Sequence, residues 1–366
     1  KWKRLQMSKE RERRLQKIAR LSNADGAPGF EDDVLEVLRE DIGGKARVVE
    51  DSLRNLYFFP QTLDPQKPTV LLDAHTDEVG LMVQAILPDG LLRFVPLGGW
   101  VAETLAAQNV RIYTRQGKVI PGIISNQPPH FMSSTERHAK LSMDQLFIDI
   151  GASSAEEASA LFGVHIGAPV VPDVDFELFN QAKGIYRGKA FDNRMGCFLA
   201  SELFLALAEM DLDVNVVAGF ASQEEMGHRG VEVVARNVKP DVAICFEGCP
   251  CDDVPMKDTS QTVLGKGPML RHLDRGMITN PRFQYYALDL AKSLGIDVQE
   301  AVRSGGGTNG ASIHLSNKGV PSIVMGVPVR YAHSHHGLFQ WSDLKQAYEL
   351  TLELLKRLNQ KVIRHF

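Results

Sequence analysis

Short apolar runs that end in an acid or an imidazole recur along this chain, and no other feature constrains its fold as tightly. TVLLDAHTDEVG carries His75 and Asp77 at its end. The run 214–221, inside VNVVAGFASQEEMGHRG, leads into adjacent Glu224 and Glu225. DVAICFEG ends at Glu247, and PSIVMGVPVRYAHS reaches His333. Asp192 stands in KAFDNRMGCFLASELF, just ahead of a helical pattern. Such runs read as buried strands, and the segments between them carry apolar residues at helical spacing. Alternation of strand and helix predicts an α/β fold, a mostly parallel sheet with helices on both faces. An open sheet of this kind gathers its strand ends along one edge, where ligands bind. The acids and imidazoles are therefore expected to meet there.

The alternation is interrupted. Residues 15–21 and 34–42 read as helices, 46–59 and 69–74 as strands. From about residue 84 to 175 the chain becomes a series of β-like runs split by Gly and Pro: LLRFVPLG, NVRIYT, KVIPGIIS, QLFIDIG and APVVPD. Closely spaced strands predict a small barrel or sandwich. Only SSAEEASALFG looks helical there, with Ser153 or Ser154 as its cap. After residue 184 the pattern returns, with helices predicted over 194–209, from about 229, over 283–294, 312–318 and 342–358. The expected organisation is one α/β unit made of residues 1–83 and 176–366, with 84–175 inserted as an all-β module.

Composition excludes several classes. The 366 residues are 44% hydrophobic and 23% charged, with a net charge of −4. That balance is ordinary for a globular chain and gives no general attraction to nucleic acid or an anionic membrane. No stretch approaches the roughly 20 apolar residues of a membrane span. The basic N-terminal segment lacks the apolar core of a signal peptide and reads as a charged helix start. Its acids, Glu10 and Glu12, speak against a nucleic-acid arm. Four cysteines are too few for a disulfide framework, and the C-x3-C-x-C spacing of Cys245, Cys249 and Cys251 does not suit zinc. Buried thiols in a reducing, cytoplasmic setting are expected.

The residue types point to hydrolysis at a pair of metal ions. Neighbouring side chains on an extended segment point apart, so of Glu224 and Glu225 one carboxylate can face a metal and the other a reacting water. That division separates ligand from base. An imidazole ligand needs its second nitrogen held, and Asp77 is close enough in sequence to hold His75. The two oxygens of Asp192 can bridge ions about 3.5–4 Å apart, although an aspartate before a helix also reads as a cap. His314, His335 and His336 compete with His333 for the role of ligand. Carboxylates and imidazoles without thiolate suit zinc, cobalt or manganese.

Taken together and in order, HTDEVGLMV, AFDNRMGC, QEEMGHRG, FEG and RYAHS resemble the M42 family of metallo-aminopeptidases. FIDIGASSAEEA is similar to a hallmark of that family's inserted domain, and the resemblance runs from GAPGFED to the last helix. It implies two divalent ions per subunit, zinc or cobalt with manganese as an option. His75 and Glu247 would bind the first ion, Glu225 and His333 the second, and Asp192 both. Asp77 would orient His75, and Glu224 would be the general base acting on a water that bridges the ions. The resemblance also implies that 84–175 is a lid and assembly module, with dimers building a dodecamer that acts on peptides. This chain departs from the family pattern in two loops. RYAHS continues with His335, His336 and Gly337 where relatives have Pro and an acid. Asn309 follows Gly306, Gly307 and Thr308 where relatives often have Asp. Both loops are expected to border the substrate, with His335 in contact with it.

Rival readings remain open from the residues alone. A deacylase could use the same two-metal scaffold. A glycoside hydrolase would need two carboxylates flanking the bond and no metal, which the histidines argue against. An inactive assembly protein would show a broken ligand set, and this set is complete.

Overall fold

The computed structural model describes residues 2–40, 42–256 and 258–366, with side chains from Lys9 onward. The first residues of the basic N-terminal segment therefore fall outside the described side chains. The backbone there belongs to a helix, Trp2–Asn23.

An eight-stranded sheet organises the larger part of the chain. Its order is Arg47–Glu50, Leu56–Phe59, Asn215–Ala221, Thr69–His75, Val242–Pro250, Ser322–Val329, Met269–Leu273, Gln299–Val302. The four strands from Asn215–Ala221 to Ser322–Val329 run parallel, and antiparallel neighbours flank them. Residues alternate between the two faces, as an extended chain requires. Val70, Leu72, Val242, Ile244 and Phe246 pack toward helices Phe191–Leu207 and Trp341–Arg357. Leu71, Ala243 and Cys245 pack toward Arg229–Val238 and Gly310–Ile313 on the other side. Burial on both faces explains why these strands read as unbroken apolar runs rather than alternating ones.

Six strands from Gly80–Ile86 to Pro169–Pro172 close into a barrel. Its interior is filled by side chains such as Val83, Phe94, Ile112, Ile120 and Ile148. The stretch SSAEEASALFG yields a turn of π-helix, Glu157–Leu161. Ser154 Oγ accepts the Glu157 N–H at 3.1 Å, as the capping pattern predicts. A third, three-stranded sheet joins Glu177–Asn180, Ile185–Gly188 and Gly337–Gln340.

One predicted helix keeps its start at Arg194 and another changes shape. Helical dihedrals in Phe191–Leu207 fail at Asp192 and Asn193, so regular helix runs on from Arg194. The helix predicted over 312–318 is instead Gly310–Ile313, because Asn317 and Gly319 take left-handed φ values of 51° and 86°.

Candidate active site

The register of the parallel strands sets the site. Ala221 pairs with His75, and Cys245 pairs with Asp73, so the strand carrying Glu247 runs beside the one that ends at His75. His75 is buried, with Nε2 3.3 Å from Asp192, 3.7 Å from Glu224 and 3.7 Å from Glu247. Its Nδ1 is nearer the Asp77 backbone carbonyl, at 3.1 Å, than the Asp77 carboxylate, at 3.4 Å. The two carboxylate oxygens of Asp77 accept the backbone N–H groups of Glu224 and Glu225, at 2.9 and 3.0 Å. Asp77 thus steadies the glutamate pair as well as the imidazole.

Asp192 stands between the two imidazoles. One oxygen lies 3.3 Å from His75 Nε2 and the other 3.3 Å from His333 Nε2. Glu225 is also 3.3 Å from His333 Nε2. Among the described residues, His75, Asp192 and Glu247 form one group whose ligand atoms lie within 4.8 Å of one another, and Asp192, Glu225 and His333 form a second. A third joins His75 with Glu224 and Glu225. Asp192 is common to the first two.

The donor set fits two divalent cations. His75 Nε2 and one Asp192 oxygen are buried without a hydrogen-bond partner. Burial pushes Glu225 up to about 7, against the pull of His333. Burial and the Asp192 charge push Glu247 well above the usual range. Burial opposes ionisation of Asp192, but His333 and His75 hold it well below the usual carboxylate range. Burial likewise opposes charging of His333, which Asp192 and Glu225 raise to about 11. Carboxylates packed this closely need positive charge or protons between them, and cations would supply the first.

The inserted module takes part. His333 Nδ1 lies 2.9 Å from the carbonyl oxygen of Gly99, in the loop after the barrel strand Leu92–Leu97. Gly98 has φ 89°, and a Cβ there would sit 2.7 Å from Val79 and 3.2 Å from Glu225. The predicted ligand side chains lie outside 84–175, yet a backbone group from that block holds one of them.

A supporting layer fixes Asp192 and Glu247. Asn193 donates to the Phe246 carbonyl at 2.8 Å and to Glu247 Oε2 at 3.2 Å, leaving Oε1 toward His75. A Cβ on Gly248 would meet Asp192 backbone atoms at 2.7 and 2.8 Å, so only glycine allows this approach. Beneath lies a buried ion network. Lys189 pairs with Glu78 and Asp25 at 2.6 and 2.7 Å, and Arg194 donates to the carbonyls of Leu21, Ala24 and Thr76.

A cavity of about 620 Å³ opens over Asp192, Glu224, Glu225, Glu247 and His333. Gly306 and Gly307 line it. Thr308 and Asn309 do not: both are buried behind the loop. Asp73 is buried as well, and burial pushes it up to about 7. His335 does not border the cavity either. It is 2% exposed, its Nε2 faces the Asn109 carbonyl at 3.1 Å, and burial pushes its imidazole down to about 4. His335, expected from the sequence to touch substrate, is a loop residue adjacent to the site that turns into the packing. Cys197, Cys245 and Cys249 are buried free thiols.

Residues the sequence reading passed over also line the cavity. His228 Nε2 is 3.2 Å from Glu224 Oε1, four residues away, a spacing that could have flagged it. Arg271 is 5% exposed, with Nη1 on Asp274 at 3.0 Å, Nη2 on the Cys249 sulfur at 3.3 Å and Nε without an acceptor. A lone arginine in the apolar strand Met269–Leu273 was a visible signal. Arg303, beside the run of glycines, pairs with Asp252 at 2.8 Å.

The chain superimposes on the crystal structure of a TET aminopeptidase from the marine sediment archaeon Thaumarchaeota archaeon SCGC AB-539-E09. The TM-score is 0.91, with 36% identity over 96% of this chain and 99% of that one. The fold is thus that of the aminopeptidases, hydrolases of peptide bonds. The family model for M42 glutamyl aminopeptidase matches residues 55–350. The glutamyl aminopeptidase of Lactococcus lactis subsp. cremoris is 34% identical over 351 residues, 94% of this chain and 96% of its own length. The chain belongs to the M42 family of peptidases. It is also similar to the Pyrococcus horikoshii TET1 peptidase, described as assembling into a tetrahedron or a large octahedral shell. That match has a TM-score of 0.83 and 27% identity, and covers 94% of this chain and 100% of that one.

Proposed function

We propose that the chain is a two-metal aminopeptidase that removes acidic N-terminal residues from peptides. The observation that carries the reading is Asp192, each of whose oxygens faces a different imidazole at 3.3 Å. His75, Asp192 and Glu247 would hold one ion, and Asp192, Glu225 and His333 the other. When bound, zinc or cobalt (or manganese) supplies Lewis-acid polarisation of the scissile carbonyl and of water. Glu224 takes the proton of the attacking water and returns it to the leaving amine. His228 on Oε1 leaves Oε2 of Glu224 toward the metal groups. The carboxylates around the cavity floor attract the free α-amine of the peptide, which favours attack at the first bond.

Chelation is expected to abolish activity and zinc or cobalt to restore it. A panel of aminoacyl and N-acetyl substrates separates this reading from a deacylase: hydrolysis of the N-acetyl series alone would defeat it.

Arg271 and Arg303 support the acidic preference, since both bring positive charge to the lining of the cavity that holds the acids. A charge-assisted hydrogen bond is worth about 1.5–3 kcal/mol, or about 10- to 100-fold. Arg303→Ala should therefore lower the ratio of kcat/KM for glutamyl over leucyl substrates by about that factor. A ratio preserved within about twofold removes Arg303 from the side-chain pocket.

The barrel block exposes Val101, Phe131, Leu161 and Ile166 on its surface. Exposed apolar groups of this kind mark contact surfaces, which supports a role for 84–175 in assembly toward a dodecamer. A native mass of one or two subunits would defeat that part. Among the described residues no helix is long and apolar enough to cross a membrane. The free thiols suit a cytoplasmic enzyme.

A further inference from the structure

We infer that His335 is a positioning residue for the second metal site: it clamps the Gly99–Trp100 corner of the barrel against the loop that carries His333. The inference rests on the reading of His333 as a ligand. It concerns a residue that stands where the resemblance to relatives calls for proline, which has no N–H or imidazole to offer.

The loop straddles the boundary between the two parts of the chain. Tyr331 and His333 have φ of 61° and 59°, so the backbone reverses twice within a few residues. His333 turns Nε2 to Asp192 and Glu225, and Nδ1 to the Gly99 carbonyl. Two residues on, His335 turns the other way, into the barrel. Its Nε2 donates to the carbonyl of Asn109, the first residue of the barrel strand Asn109–Tyr113. Its ring lies 5.7 Å from that of Trp100. Trp100 follows Gly99 directly, and its indole N–H donates to the Gly80 carbonyl at 3.0 Å, on the first barrel strand.

These contacts close a circuit. Gly99 fixes the outer nitrogen of His333, Trp100 carries Gly99, and His335 presses on Trp100 from the same loop as His333. There is little slack at Gly99, where a Cβ would lie 3.3 Å from His333 Nδ1. A metal-bound imidazole depends on the group that holds its second nitrogen, and loss of such a partner costs about 10- to 100-fold in metal affinity. Here that group is a backbone carbonyl on another module, so its position depends on how the modules are fastened. His75 has no such dependence, because its Nδ1 is held by the Asp77 carbonyl two residues along its own chain. The two ions are therefore expected to respond differently when the clamp is cut.

The test is competitive titration of the apo full-length protein with zinc against a chromophoric chelator. Wild type, His335→Ala, His335→Gln, Trp100→Phe, His333→Ala and His333→Ala/His335→Ala are compared, with thermal unfolding of each in parallel. For His335→Ala, the ion that His333→Ala removes should lose about 10- to 100-fold in affinity while the other ion changes by less than about threefold. His335→Gln, which keeps a donor for the Asn109 carbonyl, should recover part of the loss. Trp100→Phe, which keeps the ring and drops the N–H, should show a smaller loss of the same kind. In the His333→Ala background, the further change at His335 should leave the remaining ion untouched. Equal weakening of both ions, or wild-type affinity for both, overturns the assignment even if the variant is less stable. A wild type that binds a single ion fails the two-metal reading itself, which is a separate result.

Discussion

Replacing Glu224 with glutamine should reduce kcat by about 10²–10⁴-fold, the usual worth of general acid–base catalysis. Metal content should stay at about two ions per chain. The amide keeps the shape of the side chain but cannot accept a proton. Local structure should persist, because Asp77 holds residues 224 and 225 through their backbone N–H groups rather than through the Glu224 side chain. The amide oxygen can still accept from His228, which now contacts Oε1 at 3.2 Å. Steady-state kinetics with metal analysis of the same sample decides the matter. Retention of more than about a tenth of wild-type kcat excludes Glu224 as the base. Loss of an ion has a different meaning. Glu224 also lies within ligand reach of His75 and Glu225, so a missing ion would make it a ligand and leave the base to be found elsewhere.

The parts of this site that could be read in the sequence are those that sheet geometry dictates. His75 and Glu247 lie on neighbouring parallel strands, and parallel strands deliver their ends to one edge whatever the loops do. Glu224 and Glu225 follow from the same rule one strand away. The helix after Asp192 was equally plain. The family resemblance also gave Asp192 the bridging role, while its sequence context alone allowed an N-cap as well, and its placement between two imidazoles favours the first reading.

What could not be read falls into two physical kinds. The first is backbone chemistry: the Gly99 carbonyl has no side chain to announce it, and it reaches His333 from 234 residues away. The second is orientation within a loop. Gly307 lines the cavity while Thr308 and Asn309 are buried, and His333 faces the acids while His335 faces the barrel. Neighbours in sequence share a loop but not a direction, and a left-handed residue, Gly306 in one loop and His333 in the other, turns the chain there. Arg271 and Arg303 come from different segments, and their meeting in the lining of one cavity is a property of the fold alone.

Asp192→Ala should bind less metal than His75→Ala, and the difference tests the bridge directly. Asp192 belongs to both ligand groups, whereas His75 shares only the first of them with it. Removing the imidazole leaves Asp192, Glu225 and His333 intact as one complete group, so the His75 variant should keep about one ion per chain. Removing the carboxylate strips a ligand from each ion and leaves Glu225, Glu247 and Glu224 to repel one another across the gap. The Asp192 variant should therefore fall well below one ion, and activity should be lost in both. Asn193 keeps its bonds to the Phe246 carbonyl and to Glu247 in either protein, so collapse of that strand end should not confuse the result. Unfolding curves of the two apo proteins check that point. Metal analysis after dialysis gives the answer. Two ions retained by Asp192→Ala would rule out the bridge and require each ion to be held by its remaining ligands alone.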